Sequence, residues 1–477
     1  MRSCRQASAE MLAAHRHCSA GRDGPIVQNR ANGGTLFSVR QPVCRSVLVP
    51  GRVRMGEVSI LMRALVFEQW QGGHYFNYLE CLVPRLASVC DEVVVAITGS
   101  AAKSPRFAEQ LAPLTALPNV RFDCETAVPN HRSRLRFRLA LGTNLVDAVE
   151  RNRPDCIVLP SADEQVLVLP LHALFGSARS LRGVHVEAIL HYKGYTARDS
   201  RTERAVSALQ CQFLKTGVFN RLNFVNFLQY EHAVERGLPW ASLARAAGDP
   251  VPQAPRIDRT LARQVLGIET AGRCAGMIGD LDARKAVPET LAAFRAARLA
   301  SGDRLLLAGK LAPDYSQLVR SAYQDLLRDG RLIVMDRFLS EEELRAGFAA
   351  LDLHISVYRH FAGLSSLMLK SLAAGVPVLA NDHGWGRAVV MRFQVGRTAN
   401  PNDVDGYAAT LRAALDESTA YQESSATRRL LDFHSVDNFT GGVIEPIARA
   451  AGKSLQVPIL PWSWVIDALP PERRSLR

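Results

Sequence analysis

Residues 351–381 read LDLHISVYRHFAGLSSLMLKSLAAGVPVLAN, and this stretch decides the fold. The opening LDLHISV is a continuous apolar run typical of a buried strand, and VPVLA at 376–380 is a second one. Between them, HFAGLSS predicts a tight loop that opens a helix, which Gly375 closes. A strand, a glycine loop, a helix and a strand make half of a nucleotide-binding βαβ unit. The free backbone N–H groups at the helix start, near Gly363 to Ser366, predict an anion-binding site.

Similar strand and helix patterns continue outward in both directions. Helical patterns separate the apolar runs, among them 104–114, a region near 200–216 and 403–417, and Ser340 followed by Glu343 matches a capping box at a helix start. Strands that alternate with helices indicate parallel sheets. We therefore expect an α/β protein with two Rossmann-like, doubly wound domains that face each other across a cleft. The predicted strands are 62–70, 91–98, 119–125, 154–161, 183–192, 220–230, 273–280, 303–310, 331–338, 351–358, 376–382 and 393–398.

Composition shifts along the chain predict its domain boundaries. Three prolines with few apolar neighbours mark a linker between the two domains. The tail contains Trp462, Trp464 and Ile466, which we expect to cover a groove or to dock on a surface such as a membrane interface. The predicted parts are a disordered basic segment (1–60), a first domain (61–248), the linker (249–257), a second domain (258–420), helices that pack back on the interface (421–452) and the tail (453–477).

The charge distribution argues against nucleic acid as a partner. Much of the formal net charge of +12 comes from residues 1–54, which hold nine arginines against two acids. The predicted folded part is only weakly basic and has no broad nucleic-acid footprint. A transit peptide, or an upstream start codon with Met55 or Met62 as the true start, is an alternative account of this segment.

Cysteine and hydropathy patterns restrict the class of protein further. The nine cysteines have no CxxC spacing and no Cys/His quartet, so we expect free thiols in a reducing cytoplasm and no metal site. No run of 18 or more apolar residues occurs, and the first 30 residues have no secretory signal. The expected location is the cytoplasm, with contact to the inner face of the membrane as an open alternative.

Five segments of the second half resemble, in order, the donor domain of the group 1 retaining glycosyltransferases, which have the GT-B fold. The resemblance implies an enzyme that takes a sugar from a nucleotide-diphosphate sugar. The order and spacing of all five segments make it more specific than any one segment. They are GDLDARKAVPETLAAF (279–294), LLLAGK (305–310), VMDRFLSEEELRAGFAALDLHISV (334–357), FAGLSSLMLKSLAAGVPVLAND (361–382) and VGRTANPNDVDGYAATLRAAL (395–415).

The resemblance also implies which residues hold the donor. Departure of the diphosphate builds negative charge, which cations and backbone N–H groups can stabilise. Arg284 and Lys285, after Gly279, are the implied catalytic cations. The implied nucleotide-binding residues on the other side are Gly363, Leu364, Ser365, Ser366 and, further along the helix, Lys370.

The first half resembles the family more weakly. The GGH at Gly72, Gly73 and His74 looks like the glycine loop that lines the cleft after the first strand. In EAILHYKGY, His191 takes the position of a histidine at a strand end, near the reacting centre. An alternative for His191 is a purely structural role. Asp163 and Glu164, after the fourth strand, are candidates for binding acceptor hydroxyls, or are simply exposed.

One departure from the family affects the predicted activity. The signature helix of the family carries two glutamates eight residues apart, which bind the transferred sugar and the ribose. Alignment on Gly375 and Pro377 places Ala362 and Lys370 there, and no acid occurs from 354 to 380. Lysine cannot accept a hydrogen bond. Either the sugar and ribose are bound through other groups, or the donor differs, or activity is lost.

Three functions therefore stay open at this point. The first is a retaining glycosyltransferase that needs no cofactor besides its nucleotide-sugar donor and acts on a glycan, a lipid-linked or a small-molecule acceptor. The second is a catalytically degenerate GT-B protein that serves as a binding or scaffold module in glycan assembly. The third, a sugar-nucleotide 2-epimerase, would need a pair of acids that the second half does not offer.

Overall fold

The computed structural model describes residues 61–72, 75–129, 133–176, 179–191, 214–359, 361 and 363–476. The predicted disordered segment 1–60, the loop residues Gly73 and His74, most of the predicted helix near 200–216 and the signature position Ala362 lie outside the described residues. Within the described ranges, no helix combines the length and the apolar character needed to span a membrane.

The first lobe is built on a seven-stranded parallel sheet of order β3-β2-β1-β4-β5-β6-β7. Its strand order reverses between β1 and β4, so a crevice opens there at the carboxyl ends of the strands. The strands β1, β2 and β4 are short and largely apolar because helices cover both faces of the sheet. The strands of this sheet are β1 Arg63–Phe67, β2 Glu92–Thr98, β3 Val120–Thr126, β4 Cys156–Leu159, β5 His185–Leu190, β6 Arg221–Phe224 and β7 Ala244–Ala246. The described α-helices are α1 Tyr75–Ala87, α2 Gly99–Ala102, α3 Arg134–Asn152, α4 Gln165–Leu174 and α5 Phe227–Glu235.

The second lobe is built on a six-stranded parallel sheet of order β10-β9-β8-β11-β12-β13. Its strands are β8 Cys274–Ile278, β9 Arg304–Ala308, β10 Leu332–Met335, β11 Leu353–Ser356, β12 Val378–Asn381 and β13 Gly396–Ala399. Its helices are α6 Arg259–Val265, α7 Val287–Ala296, α8 Pro313–Ala322, α9 Gln324–Arg328, α10 Glu341–Ala349, α11 Ser366–Ala373, α12 Gly384–Phe393 and α13 Val404–Ser418. Four more helices follow, α14 Ser425–Phe433, α15 Val436–Ala450, α16 Trp462–Ile466 and α17 Pro471–Arg474. The two parallel sheets confirm the predicted fold class, and the predicted capping box of Ser340 and Glu343 starts α10.

The helix predicted over 104–114 is wrong. The chain forms a single π-helical turn, Phe107–Leu111, followed by a 3-10 turn, Ala112–Ala116. The cause is Pro113, which lacks the N–H that an α-helix needs at this place and crowds the preceding turn.

Strand β7 and helix α12 are among the elements that the sequence analysis did not predict. Strand β7 has only three residues and forms the edge of its sheet, so it carries almost no periodic pattern. Helix α12 contains Gly384 and Gly386, which weaken a helical signal. Burial of Trp385 and Val389 in the core of the second lobe stabilises this helix instead.

A cluster of side chains that we call the joint connects the two lobes. It lies away from the carboxyl ends of the strands. Arg392 of α12 donates to both carboxylate oxygens of Glu231 of α5, at 2.7 and 2.9 Å. Trp462, from the predicted tail, donates its indole N–H to the same carboxylate and stacks on Phe227 with ring centroids 4.5 Å apart. The Arg392 side chain is 1% exposed, so the joint is a buried, fully hydrogen-bonded ion pair sealed by aromatic rings.

Helix α15 crosses back from the second lobe to the first. Phe439, Val443 and Ile444 on this helix are buried in the same apolar cluster as strands β1 and β2. The linker follows the same seam, since Val251 pairs with Ser435, the residue that caps α15. The core of the first lobe is therefore completed by residues close to the end of the chain.

Candidate functional site

Helix α11 begins within the predicted stretch Gly363 to Ser366. Ser365 is the N-cap, and its hydroxyl accepts from the backbone N–H of Met368. Its Oγ also lies 3.2 Å from the hydroxyl of Tyr358 and 3.3 Å from that of Ser356, which fixes the loop. Leu364, one residue earlier, packs against the apolar clusters of both lobes. The first turn of α11 thus opens at the seam between the lobes.

Lys285 points inward to the same place. Its side chain is buried, and Nζ donates to the carbonyl of Ile278 at 2.6 Å. Burial lowers the pKa of Lys285 to about 8. Gly279 has φ +96, and a Cβ there would lie 2.6 Å from Cδ1 of Leu367 and 3.4 Å from Nζ of Lys285. The glycine therefore lets the Lys285 ammonium and the first turn of α11 approach each other.

Arg284, the adjacent predicted cation, points outward. Its side chain is 62% exposed and pairs with Asp282, with 2.7 Å between Nη2 and Oδ2. The hydrogen bonds that Arg284 donates to the Asp282 carboxylate raise the pKa of Arg284. The structure separates the two predicted cations: Lys285 lies next to Gly279, where Leu367 of α11 packs, whereas Arg284 is largely exposed.

Lys370 lies on the α10 side of α11. Its Nζ is 2.8 Å from a carboxylate oxygen of Glu341, and the side chain lines a groove formed with the linker residues Pro255 and Arg256. The position that carries a glutamate in the family therefore holds a lysine with its own acid partner. The predicted role of Lys370 in nucleotide binding stays a prediction.

His191 lies at the end of β5 in the first lobe. Its Nε2 is 2.7 Å from the carbonyl oxygen of Pro160, and because a carbonyl can only accept, Nε2 carries a proton. Its backbone N–H donates to Asp163 at 3.1 Å. The ring packs edge-on against Tyr78 of α1 at 4.9 Å between centroids. Gly72 lies in a bend just before α1, with open space where a side chain would be.

A three-residue contact that we call the cleft bridge connects these two halves of the site. Asp249 of the linker accepts hydrogen bonds from the hydroxyl of Tyr78 in the first lobe and from the hydroxyl of Ser366, the first residue of α11. Asp249 is 4% exposed and Tyr78 is 2% exposed. Sequence reasoning missed both residues, because an acid in a proline-rich linker suggests a solvated side chain and a tyrosine in an amphipathic helix suggests core packing.

A further buried acid, Glu68, lies at the carboxyl end of β1. Its Oε1 accepts from the backbone N–H of Trp70 at 2.8 Å, and burial raises its pKa to about 8. Strand β1 adjoins β4, so Glu68 is at the reversal of strand order where doubly wound sheets bind ligands. Only its place immediately after an apolar strand could have identified it from the sequence.

The described residues contain no group of three or more His, Cys, Asp or Glu side chains that could hold a metal ion. The chemistry that these residues offer is a buried ammonium, the N–H groups of a helix start, a carboxylate in contact with hydroxyls, and a histidine.

Comparisons with known proteins show what the second lobe is similar to. Residues 272–417 match the family model "Glycosyl transferases group 1". Glycogen synthase from Mycobacterium tuberculosis is 28% identical over 205 residues, which are 41% of this chain and 47% of the relative. The chain thus spans about half the length of the curated relatives that it matches.

Solved structures show the same fold. The Anabaena protein HepE, crystallised with UDP-glucose, has a TM-score of 0.56 at 15% identity, covering 81% of this chain and 100% of that one. Sucrose-phosphate synthase from Thermosynechococcus elongatus has a TM-score of 0.60 at 15% identity, covering 82% and 97%. The order of the two parallel sheets and the likeness to these solved structures show that this chain has the GT-B fold, and its residues 272–417 are similar to the group 1 glycosyl transferases.

Proposed function

We propose that this protein is a retaining glycosyltransferase that moves a sugar from a nucleotide-diphosphate sugar to a hydroxyl of a glycan, lipid or small-molecule acceptor. It needs no cofactor besides the donor. The observation that carries the proposal is the convergence of the buried Lys285 ammonium and the first turn of α11 at Gly279, inside the segment that matches the family.

The proposed chemistry follows from the charge that the reaction builds. When the bond between the sugar and the β-phosphate breaks, the leaving diphosphate gains negative charge. A buried ammonium and the N–H groups of a helix start, fixed before the donor arrives, lower the energy of that state. Lys285 is the group that we assign to the diphosphate, with the backbone N–H groups around Ser366 on its other side.

We assign the nucleoside to a cavity at the carboxyl ends of the strands of the second lobe. A surface cavity of about 510 Å³ lies after β9 and β10, lined by Lys310, Ser316, Arg320 and Asp336, among others. Ligands of doubly wound sheets bind at the carboxyl ends of the strands, where this cavity opens. HepE was crystallised with UDP-glucose, which makes uridine nucleotides the first donors to test.

A thermal-shift panel with UDP, GDP and ADP tests the proposal first. We expect one nucleoside diphosphate to raise the melting temperature in a concentration-dependent way, because binding to the native state stabilises it by mass action. Incubation of the matching nucleotide-sugar with acceptors, followed by NMR of the anomeric proton, then tests transfer with retention. The absence of any shift at millimolar concentrations of all three nucleotides would refute the proposal.

A second candidate function is a nucleotide-sugar binding protein without transferase activity. It is favoured by the pairing of Lys370 with Glu341 at a position where the family has a glutamate, and by the absence of acids from 354 to 380. Slow hydrolysis of the donor distinguishes the two functions. A transferase releases sugar from its donor and loses this release in His191→Ala, whereas a binding protein is stabilised by the nucleotide and releases none.

A further inference from the structure

The cleft bridge places a carboxylate at the start of α11. This carboxylate comes from a distant segment of the chain. The segment 354–380 contains no acid, yet the carboxylate of Asp249 accepts a hydrogen bond from Ser366, the first residue of the helix. The acid comes from the linker, more than a hundred residues earlier. At this place the structure therefore supplies a carboxylate that the local sequence lacks.

The backbone holds this carboxylate in a fixed position. The N–H of Asp249 donates to Nδ1 of His434 at 2.7 Å, and His434 is completely buried. The preceding residue is Gly248, where a Cβ would overlap the carbonyl oxygen of Phe433. The linker thus lies directly against the turn between α14 and α15, which leaves the Asp249 side chain little freedom to move.

Both partners of the carboxylate are hydroxyl groups. Tyr78 donates to Oδ1 and Ser366 donates to Oδ2, and each carboxylate oxygen has a second lone pair that can accept another hydrogen bond. Sugars present the same kind of donor, a row of hydroxyl groups. A ligand hydroxyl can therefore join or replace the hydroxyls of Tyr78 and Ser366 without leaving the buried acid unsatisfied.

The position of Asp249 fits a sugar rather than the phosphates. On one side, the residue after Ser366 is Leu367, which meets Gly279 next to the Lys285 ammonium. On the other side, the ring of Tyr78 packs against His191. A sugar bonded to a diphosphate at Lys285 and facing an acceptor near His191 would lie between these two points, where the bridge is.

We propose that Asp249 is a specificity-determining residue that binds hydroxyl groups of the transferred sugar in this chain. The proposal deepens the proposed function and rests on it, since it requires a nucleotide-sugar in the cleft. It also accounts for the absence of acids in 354–380, because the linker then provides the carboxylate that the helix does not.

The test compares a nucleoside diphosphate with its sugar derivative by calorimetric titration, in wild type and in Asp249→Asn. The probes are UDP with UDP-glucose, GDP with GDP-mannose, and ADP with ADP-glucose, and the pair that wild type binds best is used. We expect Asp249→Asn to weaken binding of the nucleotide-sugar by about 10- to 100-fold, because charge-assisted hydrogen bonds are lost. Binding of the bare diphosphate should change by less than about threefold.

Two control variants separate sugar binding from a structural role. Tyr78→Phe breaks the same bridge but keeps the carboxylate, so we expect it to bind the nucleotide-sugar within about threefold of wild type. Asp405→Asn removes an exposed negative charge from α13 and controls for net charge. If Asp249 only tied the lobes together, Tyr78→Phe and Asp249→Asn would have similar effects.

The outcomes distinguish this inference from the function on which it rests. If wild type binds none of the six probes, the proposed function fails and the inference fails with it. If wild type binds them and Asp249→Asn weakens the diphosphate and the nucleotide-sugar equally, or weakens neither, the inference alone is overturned.

Discussion

The lobes of this protein meet at two buried polar contacts that differ in kind. In the joint, the carboxylate of Glu231 is held by the guanidinium of Arg392 and the indole N–H of Trp462. In the cleft bridge, the carboxylate of Asp249 is held by two hydroxyl groups. The joint is sealed by stacked aromatic rings, whereas the bridge lies between the predicted donor-binding turn and the ring of His191.

Because of this difference, we assign the joint to the stability of the fold and the cleft bridge to ligand recognition. A bidentate arginine pair is strong and geometrically specific, and a small molecule cannot substitute for it. Hydroxyl groups on a carboxylate are neutral donors, which the hydroxyls of a ligand can replace. We therefore expect changes in the joint to affect mainly the free energy of unfolding, and loss of the Asp249 carboxylate from the bridge to affect mainly ligand binding.

The largest expected effect comes from breaking the joint. Arg392→Ala leaves Glu231 buried without its charged partner, so we expect the free energy of unfolding to fall by about 3–5 kcal/mol. Chemical denaturation measures this change. The matched control is Arg397→Ala, which removes an exposed pair with Glu417 and should cost less than about 1 kcal/mol. Equal losses of unfolding free energy in the two variants would show that the joint stabilises the protein no more than an exposed ion pair does.

Removal of the Lys285 ammonium should affect binding rather than stability. Lys285→Met is expected to weaken nucleoside diphosphate binding by about 100-fold, because a charge-assisted contact to phosphate is lost. The free energy of unfolding should not fall, because the variant no longer buries an ammonium. Arg284→Ala, which removes an exposed cation already paired with Asp282, serves as the control and should change affinity by less than about threefold. A larger effect of Arg284→Ala would reverse our assignment of the two cations.

The lowered pKa of Lys285 predicts a pH dependence of binding. With a pKa of about 8, Lys285 loses its proton as the pH rises above 8, and the affinity for a diphosphate should fall by up to about tenfold per pH unit. Lys285→Arg, which stays protonated, should bind with little change between pH 7 and about pH 10. Affinity in wild type that stays constant over this range would contradict the role given to Lys285.

The same lysine affects stability with a defined sign. Between pH 8 and the unfolded pKa of about 10.4, the unfolded chain binds more protons at this residue than the native protein does. The contribution of Lys285 to the free energy of unfolding therefore increases with pH in that window. Comparison of the pH dependence of unfolding in wild type and Lys285→Met isolates this contribution.

The smallest expected effect comes from the bridge itself. Tyr78→Phe removes one hydroxyl donor from Asp249, but Ser366 still donates, so we expect a loss of about 1 kcal/mol in the free energy of unfolding. The measurement uses the same denaturation assay as for the joint. A loss as large as that of Arg392→Ala would mean that both contacts serve to hold the lobes together.

The sequence predicted most of the fold because strands buried on both faces leave a clear signal. The apolar runs around Val94, Leu306 and Ile355 are central strands in the structure. The predictions of secondary structure failed where the local sequence pattern and the tertiary packing favour different structures. Pro113 interrupts a helical periodicity, and Gly384 and Gly386 hide a helix that the burial of Trp385 stabilises.

The site was predictable only where chemistry follows directly from a strand end. Lys285 and the start of α11 lie in the connections that follow two adjacent strands, β8 and β11, so parallel topology brings them to the same edge of the sheet. Asp249 and Tyr78 meet across the two lobes, and no local periodicity encodes that contact. The orientation of Arg284 away from Lys285 is likewise a tertiary property, set by the ion pair with Asp282. The functional roles of all these residues stay predictions until ligand binding is measured.

The return of α15 to the first lobe has a consequence for biosynthesis. The residues of the first sheet leave the ribosome long before Phe439, Val443 and Ile444, which fill part of its core. Until those residues have been synthesised and packed, the nascent first lobe exposes an apolar surface that promotes aggregation or chaperone binding. Attempts to produce the first lobe as a separate fragment should therefore include a peptide covering Val436–Ala450.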